Sequence, residues 1–403
     1  MNTIHKATNM AGPLSGVRIL DLSTVISGPY ATMLLADQGA DVIKVEGVDR
    51  PDHARGAGHG EAKFTAVFLN NNRNKRSVCL DLKSDKGREV LFKIAATCDV
   101  FVQNFRPGVV ERLGIDEDAI RRVREDIIYV SISGFGETGP WSHKPVYDPI
   151  VQAISGLTTI QGGSDEARPR LVRTIVPDKL TGITTAQAVS SALFHREKTG
   201  EGQHVRVSML DSVLSFLWAS DYGGQTFVGR EVSTQRAATF IDLIYETSTD
   251  YISVSAMTNA QWQALCKAVG HPEWIEDERF KTPSLRDLNA DERLTMTQDA
   301  LLAKSAEEWL EILDEAGVPC APVLKRKDVI NHPQVLASET LVELDHPVAG
   351  KIRQTRPAAR FSASEIELRH GAPLAGEHTT DVLAEAELSP EEIATLREAG
   401  IVL

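Results

Sequence analysis

The residues in this sequence best able to do chemistry are one carboxylate, one basic run and two glycine-marked loops. Asp178 stands in Ile175-Val176-Pro177-Asp178-Lys179-Leu180-Thr181-Gly182, at the start of a helical stretch rich in small residues. A carboxylate there can serve as nucleophile or base. An aspartate at a helix start is most often only an N-cap, however, and spacing alone favours the cap. The run Asn70 to Lys83 gathers Arg73, Lys75, Arg76 and Lys83 in an otherwise acidic chain. Such charges suit a phosphate-bearing ligand, and equally suit a solvated turn that holds nothing. Asn104-Phe105-Arg106-Pro107-Gly108, with Arg112 a turn later, follows the strand-like D-V-F-V-Q. The loop after a strand is where an open α/β sheet collects its ligands.

Gly134-Phe135-Gly136-Glu137-Thr138-Gly139 satisfies G-x-G-x-x-G, yet Pro140, Trp141, Ser142 and Pro145 follow it. No helix opens at the third glycine, so the segment reads as a loop beside a site and not as a dinucleotide cradle. The eleven histidines include no H-E-x-x-H or similar pair, and no metal site is expected. G-x-S-x-G is missing too, which argues against a serine hydrolase.

These residues need a scaffold, and Val17 to Glu46 supplies its pattern. Val17, Ile19 and Leu20 form one apolar run and Ala40 to Val45 another, with Tyr30, Met33, Leu34 and Leu35 at helical spacing between them. This βαβ unit predicts a parallel sheet. The turn L-S-T-V-I-S-G-P lacks the dinucleotide fingerprint. Short apolar runs continue around Val78 to Leu82, at D-V-F-V-Q and at I-I-Y-V-S-I-S, and Val205, Val207 and Met209 alternate as one more strand. The predicted fold is α/β: a Rossmann-like parallel sheet in a large domain over 13–209, after a tail of 1–12. A linker over 210–234 and a small α+β domain over 235–320 follow. Residues 321–403 are a linker and a C-terminal return to the large domain, with a strand-like piece at Pro357 to Phe361 and a last helix capped by Ser389-Pro390.

With 403 residues, 42% of them hydrophobic, the chain can bury more than one core. Its net charge of -13 argues against nucleic acid as a partner, and no window approaches the roughly 18 apolar residues of a membrane helix. Cys79, Cys98, Cys266 and Cys320 show neither C-x-x-C nor a disulfide framework, in keeping with free thiols in a reducing cytoplasm.

Five segments in order, L-D-L-S-T-V-I-S-G-P-Y-A-T-M-L-L-A-D-Q-G-A-D-V-I-K-V-E, N-R-N-K-R-S-V-C-L-D-L-K, Q-N-F-R-P-G-V-V-E-R-L-G, G-F-G-E-T-G-P and G-E-G-Q-H-V-R-V-S-M-L-D, resemble the class III coenzyme A transferases. That family includes formyl-CoA transferase, carnitine CoA-transferases and, more distantly, α-methylacyl-CoA racemase. The resemblance implies that Asp178 is the catalytic aspartate, in a D-x-x-x-G pattern completed by Gly182. It implies that Val25, Ile26 and Ser27 lie along the thiol end of CoA, and that Leu80, Lys83, Asn104, Phe105 and Arg112 contact its nucleotide and pantetheine. Tyr147 and Asp148 align with residues flanking the active site, beside the loop of Gly134 and Gly136. Two departures stand out: Gly47 replaces an arginine of some transferases, leaving Arg50 or the 73–76 cluster to substitute, and Thr234 to Glu246 lacks the glycine run of formyl-CoA transferase.

The chemistry so implied explains a carboxylate nucleophile. Attack of Asp178 on an acyl-CoA thioester gives a mixed anhydride, and the released thiolate then forms an aspartyl-CoA thioester that passes CoA to a second acid. A serine ester would be too stable to return the acyl group. The expected substrates are an acyl-CoA and a small carboxylic acid, with no further cofactor. Succinyl-CoA is a candidate donor, and Arg73, Arg76, Lys144 and Arg173 are candidates to hold a dicarboxylate. The resemblance also implies an interlocked homodimer. The alternatives are a racemase, for which Tyr147-Asp148 replaces the histidine-aspartate pair and only His143 could stand in, and a non-catalytic acyl-CoA-binding protein.

Overall fold

A computed structural model describes residues 11–56, 64–236 and 243–403. Most of the expected N-terminal tail, residues 1–10, lies outside the described residues. Contacts divide the chain into two units: one holds the residues up to Gly162 with Arg168–Glu231 and Glu339–Leu403, the other Gly163–Ala167 with Val232–Ser338.

The first unit is built on a six-stranded sheet: β1 (Arg18–Asp21), β2 (Asp41–Glu46), β3 (Lys75–Cys79), β4 (Val100–Gln103), β5 (Ile128–Ser133) and β6 (His204–Ser208). All neighbours pair in parallel, in the order β3-β2-β1-β4-β5-β6. The order reverses between β1 and β4, so the loops after these two strands face each other across the switch point, where such sheets bind ligands. Both faces of the sheet are covered, which is why its strands read as continuous apolar runs. Ile19, Val42, Val102 and Val130 pack on one side with Val189 of the helix Val176–Thr199. Leu20, Ile43, Phe101 and Tyr129 pack on the other, together with Val382, Leu383 and Ile393 from the C-terminal helices.

Three sequence expectations are corrected. The third strand is Lys75–Cys79, not Val78 to Leu82, and its basic residues enter the sheet paired with Asp21 of β1 and Asp41 of β2. The expected linker starts later than 210, because residues 210–218 lie in the helix Met209–Trp218, where Val213 and Leu217 bury against Val151 and Leu157. Pro357 to Phe361 forms no strand. The strands there are instead β10 (Leu341–His346) and β11 (Gly350–Thr355), an antiparallel pair.

The second unit contains an antiparallel sheet of β7 (Ile244–Glu246), β8 (Tyr251–Val254) and β9 (Cys320–Pro322). Trp262, Trp274, Phe280 and Trp309 fill its core beside helices such as Ala306–Glu315. It extends to Ser338, past the expected boundary at 320, and β9, which starts at that boundary, pairs with β8 inside the unit. Among the described residues no helix is long and apolar enough to cross a membrane, and no group of three or more His, Cys, Asp or Glu residues is placed to hold a metal ion.

Candidate active site

Asp178 is not an N-cap. The helix begins at Val176, its N-cap residue Ile175 makes no side-chain capping bond, and Asp178 sits inside the first turn. Its carboxylate is directed to the start of helix α1 (Ser27–Asp37), where the Ser27 N–H and hydroxyl face it. Gly182, one turn further along, makes this approach possible. A Cβ there would lie 2.9 Å from the Ser27 carbonyl oxygen and 2.9 Å from the Tyr30 ring. Only a glycine lets the two helices close enough to bring the carboxylate to Ser27. The D-x-x-x-G spacing therefore places nucleophile and contact point on one helix face.

Burial pushes the Asp178 carboxyl up to about 6, and the nearby Asp148 carboxylate adds to the rise, while the Ser27 donors pull it back down. Asp148 is only 7% exposed and opens the helix Asp148–Ile154. Its Oδ1 accepts from Gln152 Nε2 at 2.6 Å, and its buried Oδ2 has no hydrogen-bond partner. Burial raises the Asp148 carboxyl too, with Gln152, the Asp178 N–H and Lys179 opposing. Gln152 Oε1 also accepts from the Val172 N–H at 2.9 Å, tying this helix to the segment that leads into Asp178.

The charge on Asp148 thus influences the ionisation of Asp178. If the ionised Asp178 is the reacting form, kcat/KM will rise with pH through a limb near 6, and Asp148→Asn will move that limb to lower pH by removing a repelling charge. A pH–rate comparison of the two proteins checks this; an unmoved limb would separate Asp148 from the titration.

The turn before α1 is strained. Val25 has φ 72°, a left-handed conformation that costs a β-branched residue on the order of 1–3 kcal/mol. Ile26 and Ser27 are buried. Across the switch point, Asn104 accepts from the Thr24 N–H and donates to the Thr24 carbonyl, both at 2.9 Å. Its side chain is thus engaged with the turn. Phe105 and Gly108, with Gln103, Ser133, Glu137 and His143, line a cleft of ≈ 610 Å³ at the ends of β4 and β5. The Gly134 to Gly139 segment is a loop after β5, as expected, and no helix starts before Asp148. Gly136 donates its N–H to Ser133 Oγ at 3.1 Å, so that amide is occupied. Tyr147 is 70% exposed.

The other expected ligand contacts divide sharply. Lys83 and Arg112 are exposed. Leu80 lies wholly in the core, its N–H given to the Glu46 carbonyl and its backbone bridged to Val402, so its side chain cannot meet a ligand. The basic cluster is a correction. Arg73 pairs with buried Asp37 at 2.7 Å, Lys75 with Asp21 at 3.1 Å, and Arg76 with Asp41 and Glu385 at 2.6 and 2.8 Å. These cations hold the fold and are spent before any ligand arrives. Arg73→Met should accordingly cost about 3–5 kcal/mol by stranding the Asp37 carboxylate, with KM for acyl-CoA unchanged. A denaturant titration beside steady-state kinetics tests it, and a raised KM at unchanged stability would return Arg73 to the ligand.

Sequence reasoning missed Lys44, Asp52 and Gln152. A signal for Lys44 existed: D-V-I-K-V-E is a strand covered on both faces, so a lysine within it requires a buried carboxylate. Part of the Thr234 to Glu246 stretch, residues 237–242, lies outside the described residues.

The comparison with known proteins decides the family. The family model described as CoA-transferase family III matches residues 14–379. The chain belongs to CoA-transferase family III. It is 34% identical over 402 residues to the succinyl-CoA:glutarate CoA-transferase of Homo sapiens, covering 98% of this chain and 91% of that protein. Against the formyl-CoA:oxalate CoA-transferase of Afipia carboxidovorans it is 32% identical over 417 residues, covering 97% and 98%. Among solved structures, Rv3272 from Mycobacterium tuberculosis superposes with a TM-score of 0.81 at 31% identity, over 93% of this chain and all of that one. A CAIB/BAIF family protein from Brucella suis gives 0.80 at 28% identity with the same coverage. As a class III CoA-transferase the protein is an enzyme, and the Asp178 carboxylate lies at the switch-point end of its sheet.

Proposed function

We propose that the enzyme moves coenzyme A between two small dicarboxylic acids through an aspartyl-CoA thioester on Asp178. The observation that carries the reading is the position of the Asp178 carboxylate: inside its own helix, capping nothing, held at the start of α1 with a raised pKa beside Asp148. Asp178 attacks the donor thioester carbonyl, the C–S bond breaks and CoA thiolate leaves a mixed anhydride. The thiolate attacks the aspartyl carbonyl and expels the donor acid, giving aspartyl-CoA. The acceptor carboxylate then attacks that carbonyl and breaks its C–S bond, giving a second mixed anhydride, and the expelled thiolate attacks the acceptor carbonyl, releasing the Asp178 carboxylate and the acceptor's CoA thioester. The Ser27 and Gly28 amides lie in the first turn of α1, where helix geometry supplies no carbonyl partner, and they serve as donors to the tetrahedral oxyanions. Pro29 contributes no N–H. The anhydride survives only where water is excluded, which fits the burial of Ile26, Ser27 and Asp148.

Exposed Lys83 and Arg112 are assigned to the CoA phosphates, and Phe105 to the cleft wall along pantetheine. With Arg73 and Arg76 consumed, Lys144 and Arg173 remain for the distal carboxylate of a dicarboxylate. Two relatives are named for dicarboxylate acceptors, glutarate and oxalate, and one for a succinyl donor, which supports this class. The enzyme is further proposed to be a homodimer, since Ile183, Phe194, Phe216 and Trp218 are each about half exposed or more. No cofactor beyond the CoA thioester enters the scheme. Incubation with succinyl-CoA and labelled acids is expected to place label in the CoA ester of short dicarboxylates before monocarboxylates. Deuterium wash-in at the α-carbon without acyl exchange would instead make it a racemase, and binding without turnover an acyl-CoA carrier.

A further inference from the structure

The strained turn over Ser23 to Ser27 is held by side chains from outside it. Ser23 gives its N–H to Asp21 Oδ1 at 2.9 Å, and its carbonyl accepts from Lys44 Nζ at 2.9 Å. Thr24 is gripped through both backbone groups by Asn104. The Val25 N–H goes to Asp52 Oδ1 at 3.1 Å, and the same oxygen accepts from the Ala54 N–H at 2.9 Å. Lys44 and Asp52 pair at 2.8 Å, and neither side chain has any exposure. Behind them Asp21 is fixed by Lys75 at 3.1 Å and by the Thr32 hydroxyl at 2.6 Å.

A fully buried ion pair contributes little to stability compared with well-packed apolar side chains of similar size. Here each member of the pair has a hydrogen bond to the turn, and the turn sits immediately before the α1 residues that face Asp178. We infer that the buried Lys44–Asp52 pair is a positioning clamp that holds Val25 in its left-handed conformation and so sets the start of α1 against the Asp178 carboxylate. Lys44 and Asp52 touch no reacting atom in this account. They act through the turn, by orienting the Val25 N–H inward and leaving the next amides directed at the site. The catalytic part of this inference rests on the role proposed for Asp178.

The test pairs a double variant with an exchange measurement on the wild-type enzyme. Lys44→Met with Asp52→Leu removes both charges and should leave the melting temperature near wild type. Transfer should fall about tenfold or more as the turn relaxes. The acid limb of the pH–rate profile should also move to higher pH, because the Ser27 donors that favour ionised Asp178 are displaced. Adding Val25→Gly, which tolerates positive φ, should recover part of the loss. Wild-type rate and limb in the double variant, or a loss that Val25→Gly leaves untouched, would overturn the clamp. If the double variant fails to fold, amide exchange in wild-type enzyme decides. The Thr24 and Val25 amides should exchange as slowly as those of β1, and exchange as fast as the exposed 139–144 loop would overturn it. Transfer retained by Asp178→Ala would sink the functional reading while leaving the exchange result intact.

Discussion

Asp178→Asn is expected to lose CoA transfer by about 10³-fold or more while melting at a higher temperature than the wild-type enzyme at pH 8. The loss follows from the amide's inability to attack a thioester and form an anhydride. The gain follows from linkage. Folding raises the Asp178 pKa from 3.8 to about 6, so the folded state binds this proton more tightly than the unfolded chain does. Below the unfolded value both states are protonated and the group costs nothing. As pH rises from about 4 to 6 the unfolded chain ionises first, and the wild-type protein loses up to about 3 kcal/mol relative to a neutral side chain. The melting difference between variant and wild type should therefore be largest at pH 8 and shrink toward zero near pH 4. Calorimetry across that range checks it. A variant that melts lower at every pH would mean that the carboxylate is structural.

Gly182→Ala is expected to lower kcat about 100-fold, as a shift on the order of 1 Å at a reacting group does. The added Cβ would meet a backbone oxygen, Ser27 O, and the Tyr30 ring, neither of which can yield without moving α1. The helices must separate, at an overpacking cost of about 1–3 kcal/mol. Gln187→Ala, on the exposed side of the same helix, should leave both activity and stability close to wild type. An active Gly182→Ala enzyme would show that the distance between Asp178 and Ser27 does not control the rate.

The sheet was legible because strands covered on both faces leave uninterrupted apolar runs, as in Val100–Gln103 and Ile128–Ser133. The family resemblance rested on the loops at the strand ends, and it pointed to Asp178, which spacing alone would have left as an N-cap. The basic run was misleading for a physical reason. The partners of Arg73, Lys75 and Arg76 are Asp37, Asp21, Asp41 and Glu385, up to 309 residues away, and no local pattern reveals such pairs. The β10–β11 hairpin was overlooked because its strands are almost wholly exposed or half-exposed and carry few apolar residues in alternation. Asn104, expected to contact a ligand, has a structural use that was not visible in the sequence: its amide spans the switch point to grip Thr24. Sequence thus located the strands of the large sheet, whereas the ion pairs that consume Arg73, Lys75 and Arg76 required the three-dimensional register.

The most direct test of the central claim is trapping of the aspartyl-CoA thioester. Enzyme incubated with succinyl-CoA and hydroxylamine, then digested and analysed by peptide mass spectrometry, should carry a hydroxamate on Asp178 that is absent without the thioester. Transfer that proceeds with no modification at Asp178, or with the hydroxamate on another carboxylate, would contradict the account.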